Sequence, residues 1–348
     1  VVSARVLQVA YPFAPVAEDA VGGAEVVLAR LDAGLCARGV ESLVVACEGS
    51  AVRGRLHAVA AGHGPIDDAV RGEASARHRR AIEALIGAGG VDVVHLHGVD
   101  FWTYLPKRHD VPCVVTLHLP VERYPDEVLR APPAHVRFVC VSESARRRGA
   151  GVLDGAEVIE NGVPMLEQST ETPGPEAFVL CLGRICPEKG FHLALDAARA
   201  ADVPLVLAGR VFPYPDHERY FREEIAPRLD ARRTFIGPVE GERKRALLAR
   251  AACVAIPSLV EETSSLVAME ALAAGTPVVA RPVGALADIV EPGVTGELAR
   301  DVGELARALR EAPRFSRDRC RAEARRRFDA GRMVADYLAL YERVSRSA

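Results

Sequence analysis

The stretch Pro257-Ser258-Leu259-Val260-Glu261-Glu262-Thr263-Ser264-Ser265-Leu266-Val267-Ala268-Met269-Glu270-Ala271-Leu272, running on through Ala273-Ala274-Gly275-Thr276-Pro277 into Val278-Val279-Ala280, reads as loop, helix, turn and strand without interruption. Thr263, Ser264 and Ser265 offer N-cap hydroxyls, and the apolar run from Leu266 supplies the helix they would cap. Gly275-Thr276-Pro277 stops the helix, and β-branched residues begin a strand at once. A helix feeding directly into a buried strand is the unit of parallel α/β layers. The first turn of such a helix presents unpaired backbone N–H groups and the positive end of its dipole, a ready site for a phosphate. Glu262 would stand in the loop before that anion and Glu270 two turns deeper. Their separation suits a ligand with a diphosphate in its middle and hydroxyl-bearing rings at both ends, as in a nucleotide sugar.

The same alternation extends over the rest of the chain. Strand candidates lie at 4–10, 40–46, 91–97, 112–118, 137–141 and 156–160, with helical stretches between them, notably at 24–38 and 73–88. Residues 168–175 are polar and proline-rich, the composition of a linker. A second series of strands follows at 178–182, 204–208, 234–236, 253–256 and 277–280. The expectation is two doubly wound domains, 1–165 and 172–325, facing a central cleft, with an arginine-rich helical tail at 326–348. Apolar residues at three- and four-residue steps in that tail indicate packing.

Bulk properties narrow the function. The chain has 348 residues with a net charge of −3, and its first 165 carry 17 Lys+Arg against 20 Asp+Glu. Neither figure suggests a nucleic acid partner or a basic membrane-docking face. No run of apolar residues is long enough for a transmembrane helix, and the start lacks the features of a signal peptide. The eight cysteines are scattered, mostly in apolar runs, and form no C-x-x-C pair. They read as reduced core thiols in a cytoplasmic protein. Lysine occurs only at Lys107, Lys189 and Lys244, arginine taking its place elsewhere. Each surviving lysine is therefore informative.

Further candidates sit at the carboxyl ends of strands, where open α/β sheets bind ligands. Gly183-Arg184-Ile185-Cys186-Pro187-Glu188-Lys189-Gly190 follows the first strand of the second series. Arg184 and Lys189 can both reach a diphosphate, one by its planar fork and one as a point charge. Gly22-Gly23-Ala24-Glu25 opens the first helix, where paired glycines admit a ligand close to the backbone. His118 ends the strand 112–118, and His95 and His97 alternate on another, pointing to one face without an evident third metal ligand. Phe101, Trp102 and Tyr104 cluster in a chain with 5% aromatic residues, as a sugar-stacking platform or as packing beneath a loop.

These blocks resemble the motifs of the retaining glycosyltransferases of family 4, over nearly the whole chain and most closely from Phe178 to Glu297. The family's usual Gly-Phe-Gly after the first glutamate is here Thr263-Ser264-Ser265. The resemblance implies a GT-B fold whose last helix crosses back onto the first domain. It implies that Glu262 contacts the donor sugar, Glu270 the ribose and His118 the reactive end, with Glu262 and His118 as the catalytic residues. Arg184, Lys189, Gly23 and the helix start at Ser264, Ser265 and Leu266 would hold the diphosphate. Arg210, Ile236 and Gly237 would line the nucleobase, and His97, Phe101 and Trp102 the acceptor. No Asp-x-Asp is present, so no metal is expected on the diphosphate and no cofactor beyond the donor, for which a UDP-sugar is the first expectation. The acceptor would be a small molecule, an oligosaccharide or a lipid-linked sugar. The arginine-heavy composition and the Thr-Ser-Ser suggest antibiotic biosynthesis by association. The alternative is an epimerase of the same fold acting on the donor alone. A nicotinamide dehydrogenase is disfavoured, because no Gly-x-Gly-x-x-Gly follows the first strand.

Overall fold

The computed structural model describes residues 4–61, 66–165 and 177–346. The expected linker at 168–175 lies outside them. The chain divides into two compact units, Val1–Gly162 with Ala330–Ala348, and Val163–Asp329.

The first unit begins with β1 (Arg5–Val9), α1 (Gly23–Ala37), β2 (Glu41–Cys47), β3 (Arg55–Val59), α2 (Asp68–Gly87) and β4 (Val93–Leu96). It continues with β5 (Cys113–Leu117), α3 (Asp126–Arg130), β6 (Val136–Cys140), α4 (Glu143–Arg148) and β7 (Glu157–Val158). The sheet order is β3-β2-β1-β4-β5-β6-β7, with every pairing parallel. Inner strands β1, β4 and β5 are buried on both faces, which is why they read as Val- and Leu-rich runs with little charge. The chain winds outward through β2 and β3, then returns to the other side of β1. That reversal places a crevice beyond the carboxyl ends of β1 and β4.

The second unit holds β8 (Val179–Leu182), α5 (Phe191–Ala201), β9 (Leu205–Ala208), α6 (Pro215–Tyr220), β10 (Arg233–Phe235) and α7 (Gly241–Arg250). Then come β11 (Cys253–Ile256), α8 (Leu266–Ala273), β12 (Val278–Ala280), α9 (Leu286–Ile289), β13 (Gly296–Leu298), α10 (Val302–Glu311) and α11 (Arg317–Arg327). Its order, β10-β9-β8-β11-β12-β13, is parallel throughout and reverses between β8 and β11.

The last helix, α12 (Ala330–Arg346), belongs to the first unit and packs on α1 and β4. Val334 fills the space over Gly34 of α1, where a Cβ would come within 2.4 Å of its side chain. The change of unit falls between Asp329 and Ala330: Val163 N–H bonds the carbonyl of Phe328 at 2.8 Å, and fully buried Phe328 anchors the end of α11 in the second unit's core.

Two strands, β3 and β13, were not foreseen. β3 is an edge strand with a mostly half-exposed sequence, Arg-Leu-His-Ala-Val. It is aligned by Asp32, whose buried carboxylate accepts from Arg53 N–H at 2.6 Å, Gly54 N–H at 3.0 Å and Ser42 Oγ at 2.6 Å.

Candidate active site

In the second unit the loop after β8 and the loop after β11 meet. Gly190 takes φ 63° and lies so close to the backbone that a Cβ would be 2.3 Å from the Pro257 carbonyl. Only glycine fits both demands. Leu259 N–H then bonds the Glu188 carbonyl at 2.7 Å. This juncture brings Lys189 Nζ to 2.6 Å from Glu262 Oε1, with the side chains 25% and 12% exposed. Ser258 Oγ donates to the same oxygen at 2.5 Å. The backbone of Glu262 is fixed as well: its carbonyl accepts from Ala285 N–H at 2.7 Å, against Gly284 at φ 55°.

Helix α8 starts where the hydroxyl run predicts, with Ser265 as its N-cap, Oγ accepting from Ala268 N–H at 3.4 Å. Glu270, one turn inside, pairs with Lys244 of α7 at 2.5 Å, and its side chain is 11% exposed. Glu262 and Glu270 are thus each held by one of the chain's three lysines. Lys244 is the functional candidate that motif reasoning missed, and the scarcity of lysine was the signal that could have found it. A carboxylate this enclosed is costly unless paired, and a lysine answers that need while remaining movable.

Arg184 is exposed on the loop after β8. Ile185 N–H bonds the Arg210 carbonyl at 3.0 Å, and Gly209 N–H bonds the Gly237 carbonyl at 2.9 Å, so the ends of β8, β9 and β10 are laced together. A Cβ on Gly209 would be 1.8 Å from the Gly183 carbonyl. Arg210 reaches Glu240 at 3.7 Å and lies over the Phe212 ring. Ile236 and Gly237 are half-buried beside it in sequence and strand order.

In the first unit, His97 and His118 come together at the ends of β4 and β5, His97 Nδ1 standing 3.1 Å from His118 Nε2. Burial pushes His118 down to about 4, and burial beside His95 and His118 lowers His97 well below the ordinary imidazole range. Both rings are neutral at physiological pH, donors and acceptors of hydrogen bonds rather than cations. Behind them His95 lies against His97, centroids 3.9 Å apart with the ring planes tilted by 40°, and is itself saturated: Nδ1 is 2.6 Å from Tyr341 Oη, Nε2 2.7 Å from Thr116 Oγ1. Thr116 in turn meets Tyr337 Oη at 2.9 Å.

One expectation for this unit needs correction. Phe101 is 1% exposed and packs on Trp102, Tyr124 and Phe138. It belongs to the core beneath the loop and offers no stacking face; Trp102 keeps part of its surface outside. Gly23 does open α1, but the Glu25 carboxylate folds back over the preceding turn, where a Cβ on Gly22 would be 1.8 Å from Glu25 Oε2. The start of α1 therefore already faces a carboxyl group, whose own ionisation is held back by burial.

Comparison with known proteins follows the same division. A family model described as Glycosyltransferase Family 4 matches residues 21–165, and one described as Glycosyl transferases group 1 matches residues 176–312. The chain is 31% identical over 292 residues to the phosphatidyl-myo-inositol mannosyltransferase of Mycobacterium leprae (strain TN), covering 74% of this chain and 75% of that protein. Among solved structures, AviGT4, a glycosyltransferase involved in avilamycin A biosynthesis, superposes with a TM-score of 0.72 at 25% identity, over 99% of each chain. Anabaena Alr3699/HepE, in complex with UDP and glucose, superposes with a TM-score of 0.71 at 20% identity, over 97% of this chain and 99% of its own, a likeness of fold alone.

Proposed function

This chain belongs to the family 4, group 1 glycosyltransferases, and on that premise we propose that it moves a sugar from a nucleoside diphosphate, UDP before other nucleotides, to an acceptor hydroxyl with retention at the anomeric carbon. The acceptor is a small molecule, an oligosaccharide or a lipid-linked sugar. The observation that carries the reading is the pairing of Glu262 with Lys189 and of Glu270 with Lys244 on either side of the N-cap of α8.

A diphosphate bound at the start of α8 would be neutralised by Arg184, Lys189 and the first-turn amides, without a metal bridging its oxygens. Lys189 then serves two anions. Drawn toward the phosphate, it frees Glu262 to accept hydrogen bonds from the donor sugar and to favour positive charge developing on the ring. Glu270 takes the ribose hydroxyls, with Lys244 sharing its charge. Arg210, Ile236 and Gly237 border the base. In the first unit neutral His118, buttressed by His97, is assigned to the reactive end of the sugar. No helix among the described residues is long and apolar enough to cross a membrane. All eight cysteines are free thiols, which supports a cytoplasmic setting.

The test is a panel of nucleotide sugars offered with and without sugar acceptors. A transferred sugar with the donor's anomeric configuration by proton NMR, formed equally without added Mg2+ or Mn2+, is the expected result. An inverted linkage overturns the mechanism, and a requirement for either ion overturns the metal-free diphosphate. Conversion of the donor with no acceptor present would restore the epimerase reading, to which the transferase relatives give no support.

A further inference from the structure

The second unit carries a set of ligand-type side chains that the transferase reading leaves unused. Cys186 ends the extended part of the loop after β8, Glu188 follows in the short turn Pro187–Lys189, and His217 lies in α6. Each presents one ligand atom, and the three atoms all lie within 4.8 Å of one another. Cys186 is fully buried, His217 is 9% exposed, and Glu188 reaches the surface. His217 Nδ1 is buried with no hydrogen-bond partner among the described residues. Buried ring nitrogens are normally satisfied, so this one marks an interaction not supplied by the protein. The Cys186 thiol makes a long contact to the Arg184 carbonyl, at 3.6 Å, and meets the Glu188 carboxylate.

We propose that Cys186, Glu188 and His217 bind a zinc-class divalent cation. Sulfur, imidazole nitrogen and a single carboxylate form a borderline-soft donor set that suits Zn2+, whereas Mg2+ and Ca2+ take shells of oxygen. Bond lengths of about 2.0–2.3 Å require the ligand atoms to close by roughly 1 Å from their widest spacing, within reach of small side-chain rotations. Three protein ligands leave a fourth position for water. The ion would tie α6 to the loop that presents Arg184 and Lys189, one residue from the Lys189–Glu262 pair. It is a clamp on the loop, made by protein ligands alone, and it holds whether or not the chain transfers a sugar.

The experiment uses the full chain, stripped of metal and titrated with Co2+ and Zn2+. One Co2+ per chain should bind with a thiolate-to-cobalt absorption band. Cys186→Ser should abolish the band. Because changes behind the ligands of metal sites already cost 10–100-fold, losing Cys186 or His217 outright should weaken Zn2+ by about 100-fold or more. Zn2+ should raise the melting temperature of the wild type and not of Cys186→Ser. Circular dichroism and the shift on adding UDP report, separately, whether each variant is folded; His217→Gln provides a second variant should serine at 186 not fold. Absence of the band in the wild type, or metal affinity unchanged in Cys186→Ser or His217→Gln, overturns the site.

Discussion

Replacing Glu262 with glutamine separates its two proposed tasks. Glutamine keeps the length, the shape and an oxygen for Ser258, and removes the charge facing Lys189 across 2.6 Å. In the unliganded protein an ion pair becomes an ammonium-to-amide hydrogen bond, still charge-assisted on the lysine side, and losing the carboxylate charge costs about 1 kcal/mol. The pair is mostly enclosed, so water does little to screen the change. The melting temperature should fall by a few degrees at most.

Binding should respond in the opposite sense. In the wild type a diphosphate competes with Glu262 for Lys189, and in Glu262→Gln that competition is weakened. The affinity for UDP should therefore be unchanged or modestly tighter. Turnover should drop by about 100-fold or more, on the order of 3 kcal/mol of transition-state stabilisation. Calorimetric titration with UDP, thermal melting and product formation on one preparation give all three numbers. A variant with normal turnover, or one whose UDP affinity falls as far as its turnover, would refute the assignment. The first outcome would leave the Lys189–Glu262 pair a structural bridge; the second would make Glu262 a nucleotide ligand.

Arg184→Ala or Lys189→Ala should each weaken UDP binding by about 1.5–3 kcal/mol while hardly affecting uridine; equal losses for the two in isothermal titration would show that this loop does not hold the diphosphate. Glu270→Gln should weaken UDP and uridine alike, since ribose contacts exist in both, and a selective loss of UDP would move Glu270 off the ribose. The histidine cluster predicts acid sensitivity. His118 is pushed down to about 4 and His97 is lowered well below its ordinary value, whereas both would titrate near 6.5 in the unfolded chain. From about pH 6.5 down to 4 the unfolded chain takes up protons that the fold refuses, so stability falls as pH falls. Melting curves across that window should show it, with a smaller drop in His118→Gln; identical slopes for variant and wild type would argue against a neutral His118.

The layered fold was legible because a strand buried on both faces leaves a run rich in Val and Leu whatever its neighbours are. That signal fails at sheet edges. β3 has one neighbour and little to bury, and its position depends on Asp32 capturing Arg53 and Gly54, a contact across twenty-odd residues that no local pattern records. The helix at Ser265 was legible for a different reason: capping is local, and three hydroxyl residues before an apolar run leave few alternatives. Residues assigned to the diphosphate loop were legible by type, but not their pairing. Nothing in the spacing of Lys189, Lys244, Glu262 and Glu270 says which cation meets which carboxylate; packing of the loops through Gly190 decides the first pair, and packing of α7 on α8 the second.

The aromatic residues show where composition stops being informative. Phe101, Trp102 and Tyr104 and the pair Tyr337 and Tyr341 look alike as clusters in a chain poor in aromatics, yet they do different work. Phe101 fills the core, and Tyr104 carries its hydroxyl inward to Asp100 at 2.9 Å. The C-terminal tyrosines solve a problem set elsewhere. His95 and Thr116 lie on inner strands with their polar atoms buried, and such atoms must find partners. Their partners come from a helix 221 to 246 residues downstream, Tyr337 meeting Thr116 and Tyr341 meeting His95. The periodicity of the tail marked it as a packing helix. Its two hydroxyls, four residues apart on one face, match the spacing of Thr116 and His95: one turn of slippage would leave one of the two without its tyrosine in the middle of the sheet.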